Sequence, residues 1–337
     1  MSWPTEGFMR AGTIPVLRSG WRRTAAVWGL GMLAFFPAAR GSGADRPPLP
    51  EGAKAVLHFD LDRLRESDLY KAMEDNIGLV ARSNEKLQMF LEATGLGEAT
   101  ASVRSFTIYS FASPDRPQEF AGIVSGAFGA EAMSRLERAY SPVARTVGGH
   151  LIMPVLQTPD IELVMSFLGP GRLSFGTAPS VRSVVTTERN APALEVAYGR
   201  TATLRPVWGL IDAREVIRAV VDGGSGEGDP LQGMRKNLET LQSVGFSVDL
   251  GKDLFVELRA FTATPEDARL LADGIKGLVA FAQLGAAHTT DPDILDFFRQ
   301  IVAESQRDSV YVSFTITAGQ MEKLRSNQDV LSGLIPE

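Results

Sequence analysis

Along residues 55–61, Ala55, Leu57, Phe59 and Leu61 alternate with Val56, His58 and Asp60, a period of two that predicts a strand. Helical spacing follows over 62–73 and 79–92, the second helix closing at Gly95 or Gly97. Two further strands are predicted at 103–111 and 119–128, joined by the proline-bearing turn 113–118. A helix over 130–140 comes next, then short strands near 151–156, 161–167 and 172–175, and a helix from Ala178 to about Arg189.

The pattern then starts again. Residues 207–211 read as a strand closed by Asp212, with a helix over 213–221, a glycine-rich loop over 222–229 and a helix over 231–241. Val244, Phe246, Val248 and Leu250 face one way, and beyond the turn Gly251-Lys252-Asp253 the residues Leu254, Val256 and Leu258 share that face, while Glu257 and Arg259 are expected to point to water. Thr264-Pro265-Glu266-Asp267 supplies an N-cap, a first-turn proline and two acids at the positive end of a helix. The stripe Leu271, Ile275, Leu278, Ala282 marks its core side. Asp291-Pro292 opens another helix, 310–316 is a strand, and Thr317 to Gln320 forms a capping box.

The two passes agree in order. Asp60 matches Asp212, the hairpin at 103–128 matches that at 243–262, and Thr177-Ala178 matches Thr317-Ala318. The expectation is an α+β fold of tandem duplicated strand-helix-hairpin-helix units, with mainly antiparallel sheets each covered by helices on one face. The expected organisation is a secretory signal peptide at 1–44, a proline-rich leader at 45–52, a first unit at 53–195 and a second at 196–337.

The leader assignment rests on order of composition. Arg10, Arg18, Arg22 and Arg23 precede an apolar run at 24–36, and Ser42 and Ala44 are the small residues a signal peptidase reads, which places the cut between Ala44 and Asp45. Met1 and Met9 are both candidate starts. The apolar run is short for a membrane span, so no stable span is expected after cleavage, although retention as an anchor is the alternative. Removal of 1–44 takes away five arginines and one glutamate, and the net charge falls from −6 to −10. An acidic chain repels phosphate backbones, which argues against nucleic-acid binding. The absence of cysteine excludes disulfides, thiolate metal sites and a cysteine nucleophile. With no Asn-x-Ser/Thr sequon either, the expected location is the periplasm of a bacterial envelope or the exterior.

The run LPEGAKAVLHFDLDRLRESDL at 49–69 behind a signal peptide, with LSFGTAPSVRSVV at 173–185, resembles uncharacterised exported bacterial proteins that open with a strand, an Asp and a helix. The resemblance implies export and carries over no functional residue.

His58, Asp60 and Asp62 are the sharpest candidates for chemistry, because a strand period of two sets an imidazole and two carboxylates on one side, where they could ligate a divalent metal. The competing expectation is that Asp60, like Asp212, caps a helix, and that His58, matched by Leu210, is packed. His150 and His288 lie in glycine- or alanine-rich loops without a sequence-near acid. Ser83-Asn-Glu-Lys86 satisfies Ser-x-x-Lys, yet the Lys-Thr-Gly and Ser-x-Asn companions are missing. The segment 223–229 (GGSGEGD) reads as a flexible loop and Trp208 as a core residue on a strand. No catalytic residue and no cofactor is assigned. The functional expectation is an exported, non-enzymatic envelope protein of binding or scaffold type, its partner an unidentified protein or small molecule; the alternative is an extracytoplasmic hydrolase or metalloprotein with a site near His58.

Overall fold

The computed structural model describes residues 47–71, 103–111, 119–127, 133–157, 161–187, 191–217, 238–286 and 292–321, less 69, 135, 136, 139, 170, 202 and 216. Twelve strands form one sheet, in the order β11-β12-β10-β9-β8-β1-β2-β3-β7-β6-β5-β4, and every neighbouring pair is antiparallel. They are β1 (Ala55–Asp60), β2 (Val103–Ser110), β3 (Phe120–Gly126), β4 (Arg145–Val147), β5 (His150–Gln157), β6 (Glu162–Gly169), β7 (Arg172–Thr177), β8 (Val207–Asp212), β9 (Leu241–Leu250), β10 (Leu254–Thr262), β11 (Val302–Gln306) and β12 (Ser309–Ile316). The described helices are α1 (Leu61–Glu66), α2 (Ala178–Val185), α3 (Pro192–Arg200), α4 (Pro265–Ala286) and α5 (Pro292–Arg299), with a 3-10 turn at Ser141–Val143. Among the described residues no helix is long and apolar enough to cross a membrane.

The expected α+β fold, in which tandem units each carry a helix-covered sheet, is therefore corrected. A single large antiparallel sheet dominates the molecule, and it runs without a break past the expected boundary between residues 195 and 196. The cause is the pairing of β1 with β8, the two strands that would otherwise be bare edges. An unpaired edge strand exposes a row of N–H and C=O groups, and joining the two edges satisfies both rows at once.

Counted outward from this junction, the order is alike on both sides: β1-β2-β3-β7-β6 on one, β8-β9-β10-β12-β11 on the other. The register is alike too. The offset that carries Asp60 onto Asp212 carries Leu57 onto Gly209, and those two residues are paired with each other; Val56 pairs with Leu210 and His58 with Trp208, two pairs that the same offset exchanges. A local twofold thus passes through the Leu57–Gly209 pair. The β5-β4 hairpin beyond β6 has no described counterpart beyond β11.

The strand alternation divides the core between two faces. On the front face Val56, Tyr109, Ala121, Ile123, Val164, Trp208, Leu210 and Phe261 pack with Val181 and Val184 of α2, Leu194 and Ala197 of α3, and Leu49 ahead of β1. On the back face Phe59, Phe106, Val103 and Val124 pack with Leu61 and Leu64 of α1. Farther along that face Ala268, Leu271 and Ala272 of α4 cover Leu241, Ala213 and Val310, and Phe297 of α5 meets Phe314 edge-on, 5.6 Å between centroids. Leu271, Ile275 and Leu278 of the predicted stripe of α4 face this core, and Thr264 caps the helix by accepting the Asp267 N–H at 3.1 Å.

Gly209, on the axis, has the Phe246 ring lying where a side chain would begin, and a Cβ there would also come within 3.0 Å of the Val56 carbonyl oxygen. Gly209→Ala is expected to destabilise the protein by about 1–3 kcal/mol through overpacking at the junction, read as a lower denaturant midpoint with an unchanged m-value.

Candidate functional site

The three residues proposed from spacing do not converge. β1 ends at Asp60 and α1 begins at Leu61, so the strand period that would align Asp62 with His58 and Asp60 stops before it reaches Asp62. Asp60 is the N-cap of α1: its Oδ1 accepts the Arg63 N–H at 3.1 Å, and its Oδ2 lies 3.3 Å from Arg63 Nε. Asp62 sits in the first turn of α1, where its carboxylate pairs with Arg65 at 3.2 Å. Partial burial raises its pKa; Arg65 pulls the other way, and the like charge of Asp60 adds to the rise. Among the described residues no group of three His, Asp or Glu side chains is placed to hold a metal ion.

His58 belongs to the core. It is 4% exposed, its ring stacks on Trp208 with centroids 5.1 Å apart, and its Nδ1 lies 2.9 Å from Thr107 Oγ1. Loss of hydration on burial pushes the imidazole pKa down to about 4, Asp60 partly opposing the shift and Arg63 reinforcing it. A hydroxyl beside an imidazole is the pairing of a nucleophile and its base, but Thr107 is 3% exposed, so substrate has no approach to it. The two side chains instead satisfy each other's polar atoms in the middle of the sheet.

One rung of front-face residues crosses ten strands in direct register: Ser166, Ser174, Ile123, Thr107, His58, Trp208, Ser247, Glu257, Ser313 and Val302. The serine hydroxyls of 166, 174 and 247 are buried without a hydrogen-bond partner. Spacing along the sequence gives no sign of this rung, because each member comes from a different strand. Glu257 and Arg259, expected to point to water, share the front face with it, are partly buried, and approach each other at 3.9 Å.

Asp212, the counterpart of Asp60, is more deeply set. Its Oδ1 accepts the Arg214 backbone N–H at 3.0 Å, and the Arg214 guanidinium donates Nε at 3.1 Å and Nη2 at 2.6 Å. Burial alone would raise this carboxyl's pKa; the bonds from Arg214 and the charges of Arg214 and Lys54 outweigh it and hold the group below the usual carboxylate range. His150 flanks the Gly148-Gly149 turn of the β4-β5 hairpin, where its Nδ1 donates to the Phe167 carbonyl at 3.1 Å. His288, Ser83, Lys86, residues 223–229, and Ala44 with Asp45 at the expected cleavage site lie outside the described residues.

A hollow of about 410 Å³ opens at the end of the junction where β1 finishes, β8 begins and β9 finishes. Arg63, Leu204, Arg205, Pro206, Asp249 and Leu250 line it. Arg63 donates to the Leu204 carbonyl as well as pairing with Asp60, while Arg205 pairs with Asp249 and lies over the Phe255 ring, 5.3 Å from its centroid. Two guanidinium groups fixed by carboxylates beside apolar side chains can hold a small polar ligand through their remaining N–H groups. Neither Leu204 nor Arg205 stands out in the sequence.

Both acids support folding, to different extents. Asp60→Ala is expected to cost about 1 kcal/mol as a lost cap, and Asp212→Ala about 2 kcal/mol, because buried charge-assisted bonds go with it; chemical denaturation of the two variants gives the comparison. His58 sets a pH dependence. Its proton is bound more weakly in the folded chain than in the unfolded one, so its contribution is complete above about pH 6.5 and is lost as pH falls towards 4, by ~3 kcal/mol in all. Stability measured from pH 7 to 4 should therefore fall more steeply for the native protein than for the double variant His58→Leu, Thr107→Val.

Compared with known protein families, with curated proteins and with solved structures, the chain matches none.

Proposed function

We propose that this is an exported, non-enzymatic protein of the bacterial envelope, of binding or scaffold type. The observation that carries the reading is the hollow at the β1–β8 junction. It is formed jointly by Arg63 on one side of the twofold and by Leu204, Arg205 and Asp249 on the other, as is common for ligand sites where two structural units meet. The fate of the reactive groups supports it as well: His58 is spent on Thr107 and Trp208, while Asp60 and Asp212 are spent on the starts of helices. Export rests on the basic, apolar and small-residue zones that precede Asp45, and the acidic mature chain suits a partner other than nucleic acid.

The test is the intact mass of the protein recovered from fractionated producing cells. The expected result is a chain beginning at Asp45 in the periplasmic or extracellular fraction; a full-length chain confined to the cytosol overturns the reading. Melting curves recorded with and without a chelator are expected to superimpose. A large drop on chelation, restored by one divalent metal, would return the metalloprotein alternative.

A further inference from the structure

The repeated architecture does not require the charged lining of the hollow at the β1–β8 junction. The offset that carries Asp60 onto Asp212 carries Arg63 onto Glu215 and Ala53 onto Arg205, and the registers of β2 and β9 set Phe111 in the place of Asp249. At one end of the twofold these positions hold the buried Ala53 and a Phe111 packed against the front-face core. At the other they hold two arginines and an aspartate around an open space of about 410 Å³. The start of α1 does not depend on Arg63 either, since the helical turn behind Asp212 forms with Glu215 at the equivalent position.

Donors exceed acceptors in this lining. Arg63 directs Nε to Asp60 and Nη1 to the Leu204 carbonyl, and Arg205 directs Nη1 to Asp249. A guanidinium carries five N–H groups, so more than half of those on Arg63 and most of those on Arg205 are left for a ligand. The Arg63 bond ends on the residue next to Arg205, which brings the two planar groups to one side of the hollow. The remaining lining is apolar: Leu204, Pro206 and Leu250. Leu204 is 76% exposed, the most exposed of the large apolar side chains among the described residues.

We propose that the hollow takes a small carboxylate with an apolar body, an inference that rests on the junction being a binding site. The carboxylate accepts from the N–H groups left on Arg63 and Arg205, whose flat forks match its two oxygens, and the body covers Leu204, Pro206 and Leu250. Phosphate fits less well. Asp60 and Asp249 already balance the two arginines, so a doubly charged ligand would meet two like charges, while a carboxylate is held by paired hydrogen bonds more than by net charge. The volume lies within the roughly 300–1,000 Å³ of small-molecule sites.

The experiment is a titration of the purified protein, its leucine methyl groups isotopically labelled for NMR, with three probes: sodium hexanoate, 1-hexanol with the same body and no charge, and inorganic phosphate with charge and no body. The expected result is a saturable shift of the Leu204 and Leu250 methyl signals, with hexanoate binding at least about tenfold more tightly than either other probe. Arg63→Gln and Arg205→Gln are each expected to weaken hexanoate roughly tenfold and to leave hexanol and circular dichroism unchanged. Should either variant fail to fold, the preference of the native protein for hexanoate over hexanol decides. Hexanol binding as tightly as hexanoate, or phosphate binding more tightly, overturns the carboxylate and leaves the hollow as a binding site. Methyl signals of Leu204 and Leu250 that none of the probes moves at about 10 mM overturn the proposal outright; the reading of an exported protein is decided separately, by its intact mass.

Discussion

The structure depends on the pairing of β1 with β8. Every other strand is reached from that pair through antiparallel neighbours, and the strand order unfolds alike from it in both directions as far as β6 and β11. At its centre the His58–Trp208 stack and the His58–Thr107 bond tie three adjacent strands together on the front face, while Leu57 and Gly209 meet on the back. A histidine is a costly choice for such a place, since burial disfavours its charged form. It is held there by the Thr107 hydroxyl and by the Trp208 indole, whose face covers it.

Local features of the fold were readable in the sequence because they are written in adjacent residues. The alternation from Val244 to Leu258 specifies the β9-β10 hairpin, and Thr264-Pro265 and Thr317–Gln320 mark helix starts that the structure reproduces, the latter with reciprocal bonds of 2.9 and 3.2 Å. What failed was long-range or weakly patterned. Nothing near residue 55 or 207 signals that the two strands are partners, so separate sheets were the natural expectation. α3 carries small residues and Gly199, a poor helical pattern that burial of Leu194 and Ala197 makes good. β11 reads Val-Ala-Glu-Ser-Gln, a polar string that forms a strand only because β12 returns beside it.

The candidate site divides in the same way. That Asp60 ends a strand and starts a helix was visible in its neighbours, and the capping alternative described it correctly. Asp62 was misplaced because the strand period was carried one step too far. The residues around the hollow come from α1, from the approach to β8 and from the end of β9, three segments whose meeting depends on the long-range junction.

Asp60 and Asp212 are 152 positions apart in the chain, and that separation has a consequence for how the molecule is made. At about 5–20 residues per second of synthesis, β1 exists for roughly 8–30 s before β8 has been produced. The β-hairpin formed by β2 and β3 needs only microseconds once its residues are available. For most of that interval one side of β1 can be covered by β2 while the other has no native partner, so the strand at the centre of the finished sheet is the bare edge of the nascent one. The newborn chain therefore has to be guarded at the place where the mature protein is best protected.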